Sequence, residues 1–134
     1  MPRGLATPLP SLDDIEALAG AAFAALPQEF RALTGDIVFA VQDFPDAETV
    51  ADLGLREDED LLGLFHGAPL SAQIANMAGP EPTMIFLYRE PILAFWAEGG
   101  EDLAHIVRHV LVHEIGHHFG LSDADMEVIE AAAD

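Results

Sequence analysis

The segment 112–123, VHEIGHHFGLSD, has the residue types and the spacing of a metal-dependent hydrolase. His113 and His117 are four residues apart, so on a helix both imidazoles lie on one face and can converge on one ion. Glu114 lies about 100° around the helix from His113, where it can accept a proton from a metal-activated water without being a ligand. Zinc held by neutral imidazoles, with one position open, lowers the pKa of such a water towards neutrality. We therefore predict His113 and His117 as Zn²⁺ ligands and Glu114 as the catalytic base.

A third ligand is expected just beyond this helix. Gly120 can take the left-handed conformation that ends a helix and turns the chain back. Asp123 follows three residues later and is the predicted third ligand, with Asp125 or a water as the alternatives. Asp123 could instead be the N-cap of a final helix. A carboxylate ligand adds a negative charge that a third imidazole would not, so the metal should acidify water less and activity should be highest at neutral to alkaline pH.

Three further histidines lie on the same predicted helix. His109 precedes His113 by one turn, so it is either structural or close enough to line the cleft and hydrogen-bond to Glu114. His118 points away from the face that carries the predicted ligands. His105 is nearly two turns from that face and is expected to be structural or exposed.

Two other side chains have both a chemical and a structural interpretation. Tyr88 could stabilise an oxyanion, but a tyrosine in a strand is more often part of the core. Met126 could lie beneath the metal, although a core methionine is the simpler interpretation. Arg89 and Arg108 are two of only five cationic residues, so each is expected to pair with an acid.

Composition limits the classes of function. The chain has 134 residues, 51% of them hydrophobic, no cysteine and a formal net charge of -19. Disulfides, thiolate zinc sites and thiol nucleophiles are therefore excluded. Such a charge disfavours nucleic acid and favours cationic or neutral partners, although solubility explains it as well. No apolar run is long enough to span a bilayer, and acids precede the only candidate signal segment, so we expect a cytoplasmic protein without membrane contact.

Turn residues and periodicity predict one domain, formed by residues 11–134 after a flexible arm of residues 1–10. The segment 67–83 is long for a hairpin loop and could form a flap over the site, and the acidic segment 56–60 is expected to be a solvated turn. The predicted strands are 36–44, 61–67 and 84–90, and the predicted helices are 11–26, 27–35, 45–54, 91–100, 101–120 and 123–134.

With these motifs, the chain resembles the small acidic bacterial zincin-like metallopeptidases, also described as minimal zincins. The resemblance rests on RHVLVHEIGHHFGLSD (108–123), LLGLFHGAPL (61–70), FLYREPIL (86–93) and LPQEF (26–30). It implies a compact α+β fold with a small mixed sheet packed against the HExxH helix, and a zinc site formed by His113, His117 and Asp123. It also implies a peptide or protein substrate lying along an edge strand beside the metal, either MIFLYRE or LLGLFHG. His66 stands where the family is expected to have an acid.

The function predicted from these features is cleavage of peptide bonds by a zinc-dependent metallopeptidase. Two other functions fit the same residues. One is a metal-binding interaction module whose site is structural or vestigial, and the other is a metallohydrolase acting on a non-peptide substrate. The sequence does not identify the natural substrate.

Overall fold

The computed structural model describes residues 9–52, 61–66 and 83–133. The predicted acidic turn at 56–60, the predicted flap up to residue 82 and most of the predicted arm lie outside these residues. The strands are β1 (Ile37–Gln42), β2 (Gly63–His66) and β3 (Thr83–Tyr88). The helices are α1 (Leu12–Ala24), α2 (Gln28–Arg31), α3 (Ala47–Asp52), α4 (Arg89–Gly99), α5 (Leu103–His118) and α6 (Asp123–Ala132).

The three strands form a mixed sheet in the order β1-β3-β2. β1 runs parallel to β3, with Ile37 opposite Thr83, and β2 runs antiparallel to β3, with Gly63 opposite Leu87. The α+β class and the small mixed sheet are therefore confirmed. β3 is the central strand, which excludes it as an edge for a peptide and leaves β2 as the strand beside the HExxH helix.

One face of the sheet and two helices enclose the core. Side chains alternate across a strand, so Ile85 and Leu87 point to the same face, and both are fully buried. α1 packs against β1 on this side, while α5 packs against α1 and β2. α1 contributes Ile15 and Ala19 to this core, and α5 contributes Leu103, Ile106, Val107, Val110, Leu111, Val112 and Ile115. α5 carries the HExxH motif, and its long apolar side therefore holds the motif in place against the core.

Several helix ends differ from the predicted ones for local reasons. α5 begins at Leu103, so the acids of the predicted first turn precede the helix and Asp102 stands at its N-cap. α4 begins at Arg89, and Pro91 occupies its first turn, where a missing backbone N–H costs no helical hydrogen bond. α2 is only four residues long.

Arg89 fastens the chain near the end of the predicted arm to the sheet. Its Nε donates to the Pro10 carbonyl at 2.6 Å, and its Nη1 lies 2.6 Å from Glu90 and 3.4 Å from Asp43. The expectation that Arg89 pairs with an acid is thus confirmed. No helix in the described part of the chain has the length and apolar character needed to cross a membrane.

Candidate metal centre

A tight turn ends the HExxH helix and determines where the chain goes next. Gly120 has a φ of 77°, in the left-handed region predicted for it. The Leu121 N–H donates to the Gly116 carbonyl at 2.9 Å, and the Gly120 N–H donates to the His117 carbonyl at 3.2 Å. These two bonds are those of a Schellman motif, which satisfies the last carbonyls of a helix and reverses the chain. α6 therefore starts immediately beside the end of α5.

The first turn of α6 separates the roles of three neighbouring polar residues. Ser122 is the N-cap: its Oγ accepts from the Asp125 N–H at 3.1 Å, and its own N–H donates to Asp125 Oδ2 at 3.2 Å. This capping box engages the Asp125 carboxylate. Asp123 is the first residue of the helix and not its cap, and its carboxylate lies near His113 and His117 of α5.

The structure brings the three predicted ligands together. His113, His117 and Asp123 each offer a ligand atom, and these atoms lie within 4.8 Å of one another. His117 and Asp123 are exposed, and His113 is partly buried. Two imidazole nitrogens and one carboxylate oxygen form a typical donor set for zinc that keeps an open position, so the chemistry of these residues fits the metal.

Burial favours the ligand form of His113. Removal from water, together with the neighbouring His109 ring, lowers the His113 pKa below its ordinary value, and this effect outweighs the opposing carboxylates Glu130 and Asp123. The imidazole must be neutral to bind a metal. The surroundings of His113 therefore favour its neutral form.

Glu114 lies in the environment expected of a base. Burial raises its pKa above the ordinary value, while His117 and a hydrogen bond from the Phe65 backbone N–H act in the opposite direction. A carboxylate with a raised pKa accepts a proton more readily than an exposed one, and the two opposing contacts stabilise its charged form. The Glu114 carboxylate thus extends from the HExxH helix towards strand β2.

The edge strand β2 has backbone groups that point away from the sheet. The Leu62 carbonyl accepts from the Tyr88 N–H at 3.0 Å, so Leu62 faces β3, and by alternation Gly63 and Phe65 face outwards. The Phe65 N–H bond to Glu114 agrees with this assignment. β2 also packs closely on α5, because a Cβ on Gly63 would lie 2.6 Å from Val110 Cγ1. The edge is therefore held beside the candidate site.

Met126 packs directly under the HExxH motif. It is fully buried and belongs to the core, which supports the simpler interpretation of this residue. A Cβ on Gly116 would overlap the Met126 sulfur and lie 2.9 Å from its Cγ. Glycine at this position lets α6 approach α5 closely enough for Asp123 to reach the histidines.

Glu130, which the sequence interpretation did not single out, lies at this centre. Its carboxylate oxygens are 3.1 and 3.2 Å from His109 Nδ1, and one of them is 3.6 Å from His113 Nε2. The carboxylate partner of His109 is thus Glu130 and not Glu114, which the sequence suggests as one alternative. Glu130 lies seven residues after Asp123, two turns along the same face of a helix, and this spacing was the available signal.

The remaining candidates have other positions. His118 stacks on Phe65, with ring centroids 4.3 Å apart, and belongs to neither group of potential ligands among the described residues, as predicted. His105 is exposed. Tyr88 is buried, only 2% exposed, and its pKa is raised by burial and by Asp46 and Glu114.

The model of a family described as zincin-like metallopeptidase matches residues 34–133. The match covers β1 to the end of α6 and so includes all three strands and the HExxH helix. No curated protein matches the chain.

Proposed function

The chain belongs to the zincin-like metallopeptidase family, and on this premise we propose that it is a zinc-dependent peptidase in which His113, His117 and Asp123 hold the metal. The observation that carries the proposal is the convergence of ligand atoms of these three side chains within 4.8 Å of one another, next to the partly buried Glu114. The first two ligands come from one helical turn, and the Schellman turn supplies the third. Asp125 is the weaker candidate because its carboxylate is bonded in the capping box.

Zinc bound there would activate a water molecule as the nucleophile and polarise the carbonyl of the scissile peptide bond. Glu114 accepts the proton of the attacking water, for which its raised pKa suits it. Glu114 then gives this proton to the leaving amine. The same carboxylate serves both proton transfers. The hydrogen bond from Phe65 keeps it on the β2 side of the helix, where the peptide would lie.

The peptide would lie along β2. The outward-facing backbone groups of Gly63 and Phe65 can pair with an extended chain and place it next to Glu114. Main-chain pairing of this kind selects extended peptides without fixing their side chains. The net charge of -19 favours cationic segments among them.

The test is to measure zinc content and peptide turnover for the wild type and for Glu114→Gln. The variant should bind zinc like the wild type but lose roughly 10²- to 10⁴-fold in turnover, the usual contribution of a general base. Glu127→Gln, which makes the same chemical change at an exposed position of α6, is the matched control and should keep its turnover.

Two results would contradict the proposal. If the wild type takes up no zinc when zinc is supplied, the metal assignment is wrong. If the wild type binds zinc but cleaves no member of a diverse peptide library, the chain is better explained as a metal-binding module or as a hydrolase of another substrate.

A further inference from the structure

The packing of α6 on α5 aligns two acids with three histidines. The histidines at 109, 113 and 117 follow one another by one turn on α5, and Asp123 and Glu130 are two turns apart on α6. Asp123 lies by His113 and His117, while Glu130 lies by His109 and His113. The helices therefore run in opposite directions along this face, and His113 is common to both groups.

The distances in the group of His109, His113 and Glu130 suit a metal. Zinc bonds to nitrogen and oxygen are about 2.0–2.2 Å long, so two ligand atoms of a tetrahedral site lie roughly 3.3–3.6 Å apart. The Glu130 oxygens lie 3.1 and 3.2 Å from His109 Nδ1, slightly below this range, and Glu130 Oε2 lies 3.6 Å from His113 Nε2. The set of potential ligand atoms is within 4.8 Å throughout. Small side-chain rotations would admit an ion.

A cavity next to this group leaves room for solvent ligands. It has a volume of about 200 Å³, and its lining includes His109 and Glu130 together with His105 and Glu101. Three protein ligands leave one position of a tetrahedral ion for water. The cavity can supply that water without displacing the core.

We propose that His109, His113 and Glu130 form a second metal position, which alternates with the one formed by His113, His117 and Asp123. A neutral imidazole has one lone pair for a metal, so His113 serves one ion at a time. The chain then binds one zinc ion and distributes it between two positions along the helix. The proposal shares His113 with the proposed function but does not depend on peptidase activity.

The experiment is zinc titration by calorimetry, with a competing chelator, in two backgrounds. Glu130→Gln and His109→Ala are each made in the wild type and in Asp123→Asn, which weakens the first position. We expect Asp123→Asn to keep one bound zinc. In this background either change should lower the zinc affinity by about tenfold or more, by analogy with the loss of supporting groups at metal sites, whereas the wild type should lose less.

Controls separate metal binding from folding. Glu127→Gln in both backgrounds should leave the zinc affinity unchanged, and circular dichroism should show native helix content in every variant. If Asp123→Asn does not fold, His117→Gln weakens the same first position and replaces it as the background.

Each other outcome overturns the second position. It is wrong if the Asp123→Asn protein binds no zinc, or if Glu130→Gln and His109→Ala leave its affinity unchanged. Equal losses in both backgrounds would make Glu130 part of a single site, and two ions per chain would exclude alternation. These results are independent of the turnover of the wild type, which tests the proposed function.

Discussion

The two ends of the contact between α5 and α6 are built differently. We call the part with His117 and Asp123 the turn end, and the part with His109 and Glu130 the far end. At the turn end the residues are six apart in sequence and are joined by the Schellman turn and the capping box. At the far end the residues are 21 apart and meet only because the two helices pack against each other. The first depends on local backbone geometry, and the second on tertiary packing.

Exposure also differs between the two ends. His117 and Asp123 are both exposed; at the far end the His109 side chain is also exposed, at 56%, but that of Glu130 is only 18% exposed. An open carbonyl-binding position needs access for a peptide, which the turn end offers. At the far end it is the carboxylate that is enclosed, and both residues line the small cavity. The two ends therefore differ in the burial of their carboxylates and not in that of their histidines.

Gly116→Ala should disrupt both ends and is expected to have the largest effect. The added methyl group overlaps the buried Met126, so the Met126 side chain must rearrange or α6 must move away from α5. We expect a net loss of about 1–2 kcal/mol in the free energy of unfolding, because overpacking exceeds the gain in helix propensity. Zinc affinity should fall as well. Urea unfolding and zinc titration measure the two effects.

The matched control is Gly20→Ala in the middle of α1, where a Cβ meets nothing within 4 Å. This change should stabilise the protein by roughly 0.5–1 kcal/mol. If both alanine variants were equally stabilised, the close approach of the two helices would not be what holds the site together.

Gly120→Ala should destabilise the turn end more than the far end. A residue with a side chain is strained at a φ of 77°, at a cost of about 1–2 kcal/mol. Gly120→Asn should cost less, because asparagine tolerates this conformation better. Thermal unfolding ranks the three proteins. A loss as large for asparagine as for alanine would argue against backbone strain as the cause.

Ser122→Ala removes the N-cap of α6 and should have a smaller effect. Loss of such a cap typically costs about 1 kcal/mol. The first turn of α6 should loosen, so the amides of residues 123–125 should exchange faster in hydrogen exchange, while those near Glu130 should not. Equal acceleration at both places would mean that α6 opens as a unit and that the two ends are not independent.

Tyr88→Phe should leave both ends intact at neutral pH and is expected to have the smallest effect. The raised pKa means that the folded state favours the neutral phenol. The contribution of the neutral phenol to the free energy of unfolding is fully present below the ordinary tyrosine pKa of 10.0. It is lost as the pH rises from that value through the raised pKa of the folded state. The variant should therefore unfold less steeply in alkali than the wild type. A large loss of peptide turnover at neutral pH would instead support a role for the hydroxyl at an oxyanion.

The sequence was sufficient to predict what is determined locally. His113, Glu114 and His117 share one helical turn, and Gly120 with Asp123 follows within six residues. Helical periodicity and the preference of glycine for the left-handed conformation determine their arrangement without reference to the rest of the chain. The three strands were also predictable, because their runs of β-branched and aromatic residues are bounded by turns.

What depended on packing between distant segments was not predicted. Glu130 meets His109 only after α6 has folded back, and its two-turn spacing from Asp123 does not by itself show which histidine the carboxylate will face. The choice of β2 as the edge depends on strand order, which the pattern of each strand leaves open. The start of α5 was placed two residues too early, because Asp102 is compatible with both a cap and a first turn.

The contact between Gly116 and Met126 has a consequence for variation among related sequences. A motif written HExxH treats the residue before the second histidine as arbitrary, yet here its size is limited by a side chain ten positions away. Enlargement at 116 should be tolerated only together with reduction at 126. The two positions are therefore expected to covary, and a search for related sites gains discrimination by considering them as a pair.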